Sequence, residues 1–313
     1  MTELSTFWHL WVSAIVIGSM VACGILLVLT KGGQKYDEET DQTTGHTFDG
    51  IEELDNPLPK WWNMFFWITI VFGFIYILIY GVGNWKGFAE WSSYGQWEKE
   101  VAQAEEKYAP YYEKLTSMSV EEMITSDEVM ENGQTISEAA LATGQRIYAS
   151  NCSICHGSTA QGSLGFPNLT DNDWLYGGSP EAIKTTLLNG RQGAMPANGL
   201  KPDMTAEQRN DVTAYVLSLS GREGSGDADK GKPIFAQACA ACHGPNGKGM
   251  QAVGAPNLTD NIWLYGGSEK QINFTLEHGR NGVMPAWKEI LGEDKIHVLT
   301  GYVYSLSQSN DSE

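Results

Sequence analysis

The chain has 313 residues, 42% of them hydrophobic, and a formal net charge of −18, which makes it too long for one small module and too acidic for a nucleic-acid-binding protein. By residue count about −6 of that charge precedes residue 84 and about −12 follows it, so the later part should suit a basic protein partner or simply keep the chain soluble. Four of its five cysteines fall in two identical spacings and leave no disulfide framework.

In chain order, the first features are two uncharged apolar runs, Phe7 to Thr30 (24 residues) and Trp61 to Gly83 (23 residues). Each exceeds the roughly 20 residues that cross a bilayer. They predict two spanning helices in contact with lipid and make residues 1–83 a membrane anchor. Trp61, Trp62, Phe65, Phe66 and Trp67 crowd one end of the second run, as interfacial anchors do. A cleaved signal peptide is the second reading of the first run, disfavoured because Met1 to Thr6 lacks Lys and Arg and apolar sequence continues past Cys23, which is expected to be lipid- or helix-facing. The loop 31–60 carries three lysines and the segment before the first run no basic residue. The positive-inside tendency therefore predicts a cytoplasmic loop, with everything after Gly83 on the outer side. Residues 84–136 read as a connector: an exposed charged helix from Gln96 to Ala109, stopped at Pro110, then an acidic spacer.

The remainder is a duplication. Cys152-Ser153-Ile154-Cys155-His156-Gly157 returns as Cys239-Ala240-Ala241-Cys242-His243-Gly244, an offset of 87. Pro167 to Asn172, Trp174 to Ser179, Gly190-Arg191 and Met195-Pro196 all return at an offset of 89, and Tyr215 to Ser220 returns at 87. Two units follow, 137–220 and 227–308, joined by a Gly- and Ser-containing linker, Gly221 to Gly226. Each should hold a helix leading into the cysteines (Ser137 to Ala149; Asp229 to Ala238), a short helix (Pro180 to Leu188; Glu269 to Glu277), a methionine loop and a closing helix (Thr205 to Leu219; Asp294 to Leu306). Roughly 80 residues is little for an autonomous core, and a large apolar prosthetic group inside would help each unit fold.

Cys-x-x-Cys-His is the signature of covalent c-type haem attachment, here twice, so two c-type haems are expected on Cys152, Cys155, Cys239 and Cys242. The adjacent His156 and His243 would present imidazole to iron. A zinc knuckle would need both cysteine pairs to converge, and a redox dithiol would leave the histidine and the distant methionine unexplained. Met195 and Met284, equivalent in the repeat, are the candidate sixth ligands, with His156 expected to share an iron with Met195 and His243 with Met284; Met204 and Met250 have no repeat partner. His/Met ligation closes both axial positions and favours electron transfer over oxygen or peroxide chemistry, so no catalytic residue is expected. Pro167 and Pro256 lie 11 and 13 residues beyond His156 and His243, where resemblance to cytochromes c implies a proline carbonyl that accepts the imidazole N–H. Arg191 and Arg280 could pair with haem propionates, and Trp174, Trp263, Tyr176 and Tyr265 could pack on the haem. His9, His46, His278 and His297, unrepeated, read as structural.

Both units resemble class I cytochromes c, which implies a mainly α chain: two N-terminal transmembrane helices, then two tandem haem domains. The segment Thr47 to Trp62, Thr-Phe-Asp-Gly-Ile-Glu-Glu-Leu-Asp-Asn-Pro-Leu-Pro-Lys-Trp-Trp, is similar to the one preceding the membrane helix in the dihaem subunit of cbb3-type cytochrome c oxidases. That resemblance implies a bacterial inner-membrane complex with a haem-copper catalytic subunit and a monohaem cytochrome c subunit. It would take electrons from a soluble cytochrome c, reduce oxygen and move protons, with the haem domains in the periplasm. Many members of that family have one anchor, and the extra N-terminal span departs from them. A free-standing dihaem shuttle serving another reductase or dehydrogenase is the alternative, and a dihaem peroxidase would need an open iron site.

Overall fold

The computed structural model describes residues 4–31, 43–54 and 59–308. They fall into two units, one up to Lys107 and one from Tyr108 onward.

In the first unit, α1 (Thr6–Lys31) and α2 (Lys60–Tyr80) are the two apolar helices. Their side chains face outward, Leu29 being 71% and Phe72 64% exposed, which is stable only where the surroundings are themselves apolar. The helices touch through small residues, Gly24 against the Trp67 ring and Gly73 against Met20. At the Leu4 end, Asn84 Nδ2 donates to Leu4 O and the Asn84 amide to His9 Nδ1. Cys23 lines a cleft between α1 and α2 with Phe66, Ile70 and Gly73. Before α2, β1 (Thr43–Phe48) and β2 (Ile51–Leu54) form a hairpin. Asp49 and Gly50 both have positive φ, +49° and +81°, the two-residue turn whose twist matches paired strands. Helix α2 stops at Tyr80 rather than at Gly83. Gly81 turns the chain with φ +85°, and the amides of Phe88 and Ala89 fold back onto the carbonyls of Leu78 and Ile79.

Helix α3 (Ser93–Thr116) continues through Pro110, where a stop was expected. Proline removes one helical hydrogen bond, but residues beyond it gain burial: Leu115 is fully buried, with Tyr111 and Tyr112 packed beside it.

In the second unit, α4 (Val120–Thr125) and α5 (Ile136–Asn151) begin at Ser119 and Thr135, whose hydroxyls accept the amides of Glu122 and Glu138 while those carboxylates return the bond. The attachment turns are α6 (Ser153–His156) and, in the second copy, α10 (Ala240–His243). Between them lie α7 (Pro180–Asn189), β3 (Arg191–Met195), α8 (Ala206–Leu219) and α9 (Ala228–Ala238). After α10 come α11 (Glu269–His278), β4 (Arg280–Met284), α12 (Lys288–Leu291) and α13 (Glu293–Gln308). The acidic stretch after Pro110 is not a bare spacer. Leu115 and Met123 share one buried cluster with Ile136, Ala140 and Val298, so it is part of a lobe's core.

The repeats do not close on themselves. Closing helix α8 packs on α9 and α11 of the second copy, and α13 packs on α5 and α7 of the first. Both crossings use the same glycine and tyrosine pair. A Cβ on Gly144 of α5 would overlap Tyr302 of α13, and one on Gly231 of α9 would overlap the Asp211 carbonyl and sit 3.0 Å from Tyr215 Cβ in α8. The exchange occurs at β3 and β4, which pair antiparallel with Gly193 opposite Gly282. Because those glycines are repeat equivalents, a local two-fold relation passes between them. The helices thus pack as lobe A, residues 136–190 with 284–308, and lobe B, residues 195–279, each drawing on both sequence repeats. A short linker explains the outcome: with eight residues, 220–227, between α8 and α9, adjacent helices in sequence become adjacent in space. That linker is fastened, with Arg222 N donating to Leu217 O, Asp227 N to Asp211 Oδ1, and Ser225 to Glu269.

Candidate haem sites

In each lobe the N-terminal helix delivers the first cysteine into the core and the following turn presents the histidine. Cys152 and Cys239 are buried, and burial pushes each thiol up to about 11, with Cys155 and Cys242 adding the smaller effect. His156 and His243 are buried as well. Their Nδ1 atoms lie 3.0 Å from Pro167 O and 3.1 Å from Pro256 O, as the resemblance to cytochromes c implies. With Nδ1 engaged in this way, Nε2 is the nitrogen left for a metal. Burial lowers the pKa of His243, favouring the neutral ring that ligates iron.

The methionines change partners. Met284 packs against the cluster containing Cys152, Tyr148, Ile183 and Leu299, whereas Met195 packs against the cluster containing Cys239, Phe235, Val216 and Ile272. Each lobe thus brings a Cys-x-x-Cys-His turn from one repeat to a methionine from the other.

Sequence comparisons bear on these paired sites directly. Residues 139–216 and 226–303 match the family described as "Cytochrome C oxidase, cbb3-type, subunit III", and residues 40–86 match "N-terminal domain of cytochrome oxidase-cbb3, FixP". A "Cbb3-type cytochrome c oxidase subunit CcoP" from Rubrivivax gelatinosus is 44% identical over 306 residues, 97% of this chain and 96% of the relative. A FixP subunit from Bradyrhizobium sp. (strain ORS 278) is 42% identical, covering 84% of this chain and 94% of its own length. The CcoP subunit of Cereibacter sphaeroides is 37% identical with the same coverage, 84% and 94%. The chain belongs to the cbb3-type cytochrome c oxidase subunit III family. It is a membrane-anchored oxidase subunit with c-type haem domains, as the sequence resemblance implied. Helix α1 lies outside both matched regions.

The residues around each cysteine turn of this subunit III chain fit the group that the family carries. Arg191 Nε donates to Thr186 Oγ1 at 2.9 Å and its guanidinium lies 4.6 Å from the centre of the Tyr176 ring; Arg280 donates to Thr275 Oγ1 at 3.0 Å and lies 4.3 Å from the Tyr265 ring. Trp174 packs in the Cys152 cluster and Trp263 in the Cys239 cluster. Trp263 Nε1 is buried without an acceptor, which a haem propionate entering the lobe would supply.

Among the unpaired methionines, Met250 is 40% exposed at the edge of a short 3-10 turn, while Met204 is 4% exposed within the Cys239 cluster. Met204 is therefore the nearer rival to Met195, a distinction that repeat matching alone missed. His9 and His278 make local bonds, to the Asn84 amide and toward Phe274 O. His297 is buried beside Lys184, Nδ1 to Nζ 3.4 Å. None of these three lies in a Cys-x-x-Cys-His turn.

Proposed function

We propose that this chain is the dihaem relay of a cbb3-type oxidase, taking electrons from a soluble cytochrome c and passing them toward an oxygen-reducing haem-copper subunit, alongside a monohaem cytochrome c subunit. The observation that carries the reading is the pairing within each lobe of a proline-held histidine with a buried-side methionine. When bound, c-type haem supplies a one-electron carrier whose potential His/Met ligation raises. The chain's own residues do the rest. Cys152 with Cys155 and Cys239 with Cys242 hold the two groups covalently. His156 and Met284 are the axial pair in lobe A; His243 and Met195 are the pair in lobe B. Pro167 and Pro256 fix the imidazole planes, and Arg191 and Arg280, braced on threonines, stand ready for propionates.

The apolar residues packed beside Cys152 and Cys239 would keep water from each haem's buried side and so limit solvent reorganisation on oxidation and reduction. The lysine bias favours a cytoplasmic 31–60 loop and a periplasmic second unit in a bacterial inner membrane.

Charge supports a place for the donor. Residues 108–190 with 284–308 carry thirteen Asp and Glu against five Lys and Arg, while residues 191–283 carry nine of each. A basic donor is drawn to lobe A and its acidic connector.

Gentle purification tests this reading. The chain should bring down a larger haem-containing subunit, the assembly should oxidise reduced cytochrome c with oxygen, and the isolated chain should carry two haems yet bind no carbon monoxide. A lone chain on native purification would support the free-standing shuttle instead.

A further inference from the structure

Two buried donors in lobe B lack acceptors and converge on one place. They are Arg222 Nη2 and Trp263 Nε1. The Arg222 guanidinium lies 5.1 Å from the centre of the Trp263 ring. Its other nitrogens are committed, Nε to Ser220 Oγ at 3.0 Å and Nη1 to Gly267 O at 2.8 Å. Gly267 is also where the indole nitrogen lies, since a Cβ there would sit 2.7 Å from Trp263 Nε1. Thus one carbonyl anchors the arginine beside the indole N–H.

Leaving a guanidinium N–H and an indole N–H buried and unpaired costs each its hydration without a compensating hydrogen bond. Stacking on the ring offsets only part of this. Both groups are donors only, and one is a permanent cation, so the acceptor that satisfies the pair is an anionic oxygen group. Nearby carboxylates are otherwise placed: Glu269 accepts from Ser225, Asp260 from Asn257 and the Ile262 amide, and Glu223 is exposed.

Resting on the dihaem reading above, we propose that Arg222 and Trp263 together clamp a propionate of the haem attached at Cys239 and Cys242, and that among the described residues this arginine clamp has no counterpart in lobe A. The exchange of closing helices creates the asymmetry. In lobe B the linker runs from α8 to α9 past Trp263, carrying Arg222 with it. In lobe A, the position equivalent to Arg222 after α13 is Ser309, which lies outside the described residues. Trp174 there has no guanidinium from this loop. Arg222 is a positioning residue: it holds one propionate ionised and in place, and its positive charge favours the reduced form of the lobe B centre.

The test uses the full chain with both haems, titrated spectroelectrochemically between pH 6 and 8. Arg222→Gln should lower the potential of one of the two centres and give it a pH dependence in this range, because the propionate loses the cation that keeps its pKa low. Arg222→Lys, retaining a cation, should recover part of the shift. Trp263→Phe should move the same centre as Arg222→Gln, and Trp174→Phe the other. The proposal is overturned if both potentials and their pH profiles stay at wild-type values in Arg222→Gln with two haems attached, or if Arg222→Gln moves the centre that Trp174→Phe moves. A haem content of one per wild-type chain would instead overturn the dihaem reading.

Discussion

Arg191 lies directly across the two-stranded sheet from Met284, and by the same two-fold relation Met195 lies across from Arg280. Arg191 is braced on Thr186 in lobe A, and Arg280 on Thr275 in lobe B. The strand pair therefore delivers an arginine and a methionine to each lobe from opposite repeats. The chain crosses between lobes within five residues, Arg191 to Met195, and returns within five, Arg280 to Met284.

Helix exchange makes Gly144 and Gly231 structural keys. Gly144→Ala forces a methyl group against Tyr302 and within about 3.1 Å of Val298 O, an overpacking that costs about 1–3 kcal/mol. Thermal melts should show the loss, and Tyr302→Ala in the same chain should relieve part of it. An unchanged melting temperature in Gly144→Ala would contradict the α5 and α13 contact.

The connector should behave as core. Met123 is fully buried between α4, α5 and α13, its methyl group pressed toward Gly301. Met123→Ala should destabilise lobe A by about 2–5 kcal/mol, seen as a lower denaturant midpoint. A spacer would tolerate the change with no shift.

Asp173 supplies a pH signature. Burial first, then Asp260 and Asp171, push its carboxyl from an ordinary 3.8 up to about 6. Between those values the folded chain holds a proton that the unfolded chain has released, so this group's contribution to stability falls as pH rises through that window and is flat above it. Asp173→Asn should consequently melt higher than wild type at pH 7.5, with the difference vanishing below about pH 4. A difference that grows toward acid would reverse the assignment.

Docking on the acidic lobe should be salt-sensitive. With a Debye length of about 10 Å at 0.1 M salt, the rate at which a basic cytochrome c reduces the complex should fall steeply with ionic strength. Replacing exposed Glu121, Asp127 and Glu131 with glutamine should flatten that dependence, whereas Glu207→Gln with Asp229→Gln should not. The opposite result would move the donor to lobe B.

Much of this was legible in the sequence because it is local. Capping residues Thr135, Ser179, Thr205, Asp227 and Ser268 mark helix starts that the structure places within two residues of expectation. The prolines facing His156 and His243 were readable through the resemblance to cytochromes c. The exchange was not, because a duplicated sequence satisfies self-closed and crossed packings equally: Tyr215 and Tyr302 fit Gly144 and Gly231 in either pairing. Only linker length separates the two, and it acts through three-dimensional proximity. Burial past Pro110 was hidden for a similar reason, since Leu115 and Met123 find their partners in α5 and α13, far along the chain. Arg222 escaped notice because repeat matching favours residues that recur.

Crossed ligation is the claim on which the two-lobe account stands, and a single measurement reads it. In a chain carrying Cys152→Ala and Cys155→Ala, only the lobe B haem remains attached, and its methionine-to-ferric-iron charge-transfer band can be followed in the near infrared. Adding Met195→Ala should abolish that band, and adding Met284→Ala should leave it intact. Loss of the band with Met284→Ala and its survival with Met195→Ala would mean that each repeat ligates its own iron, and the crossed arrangement would be wrong.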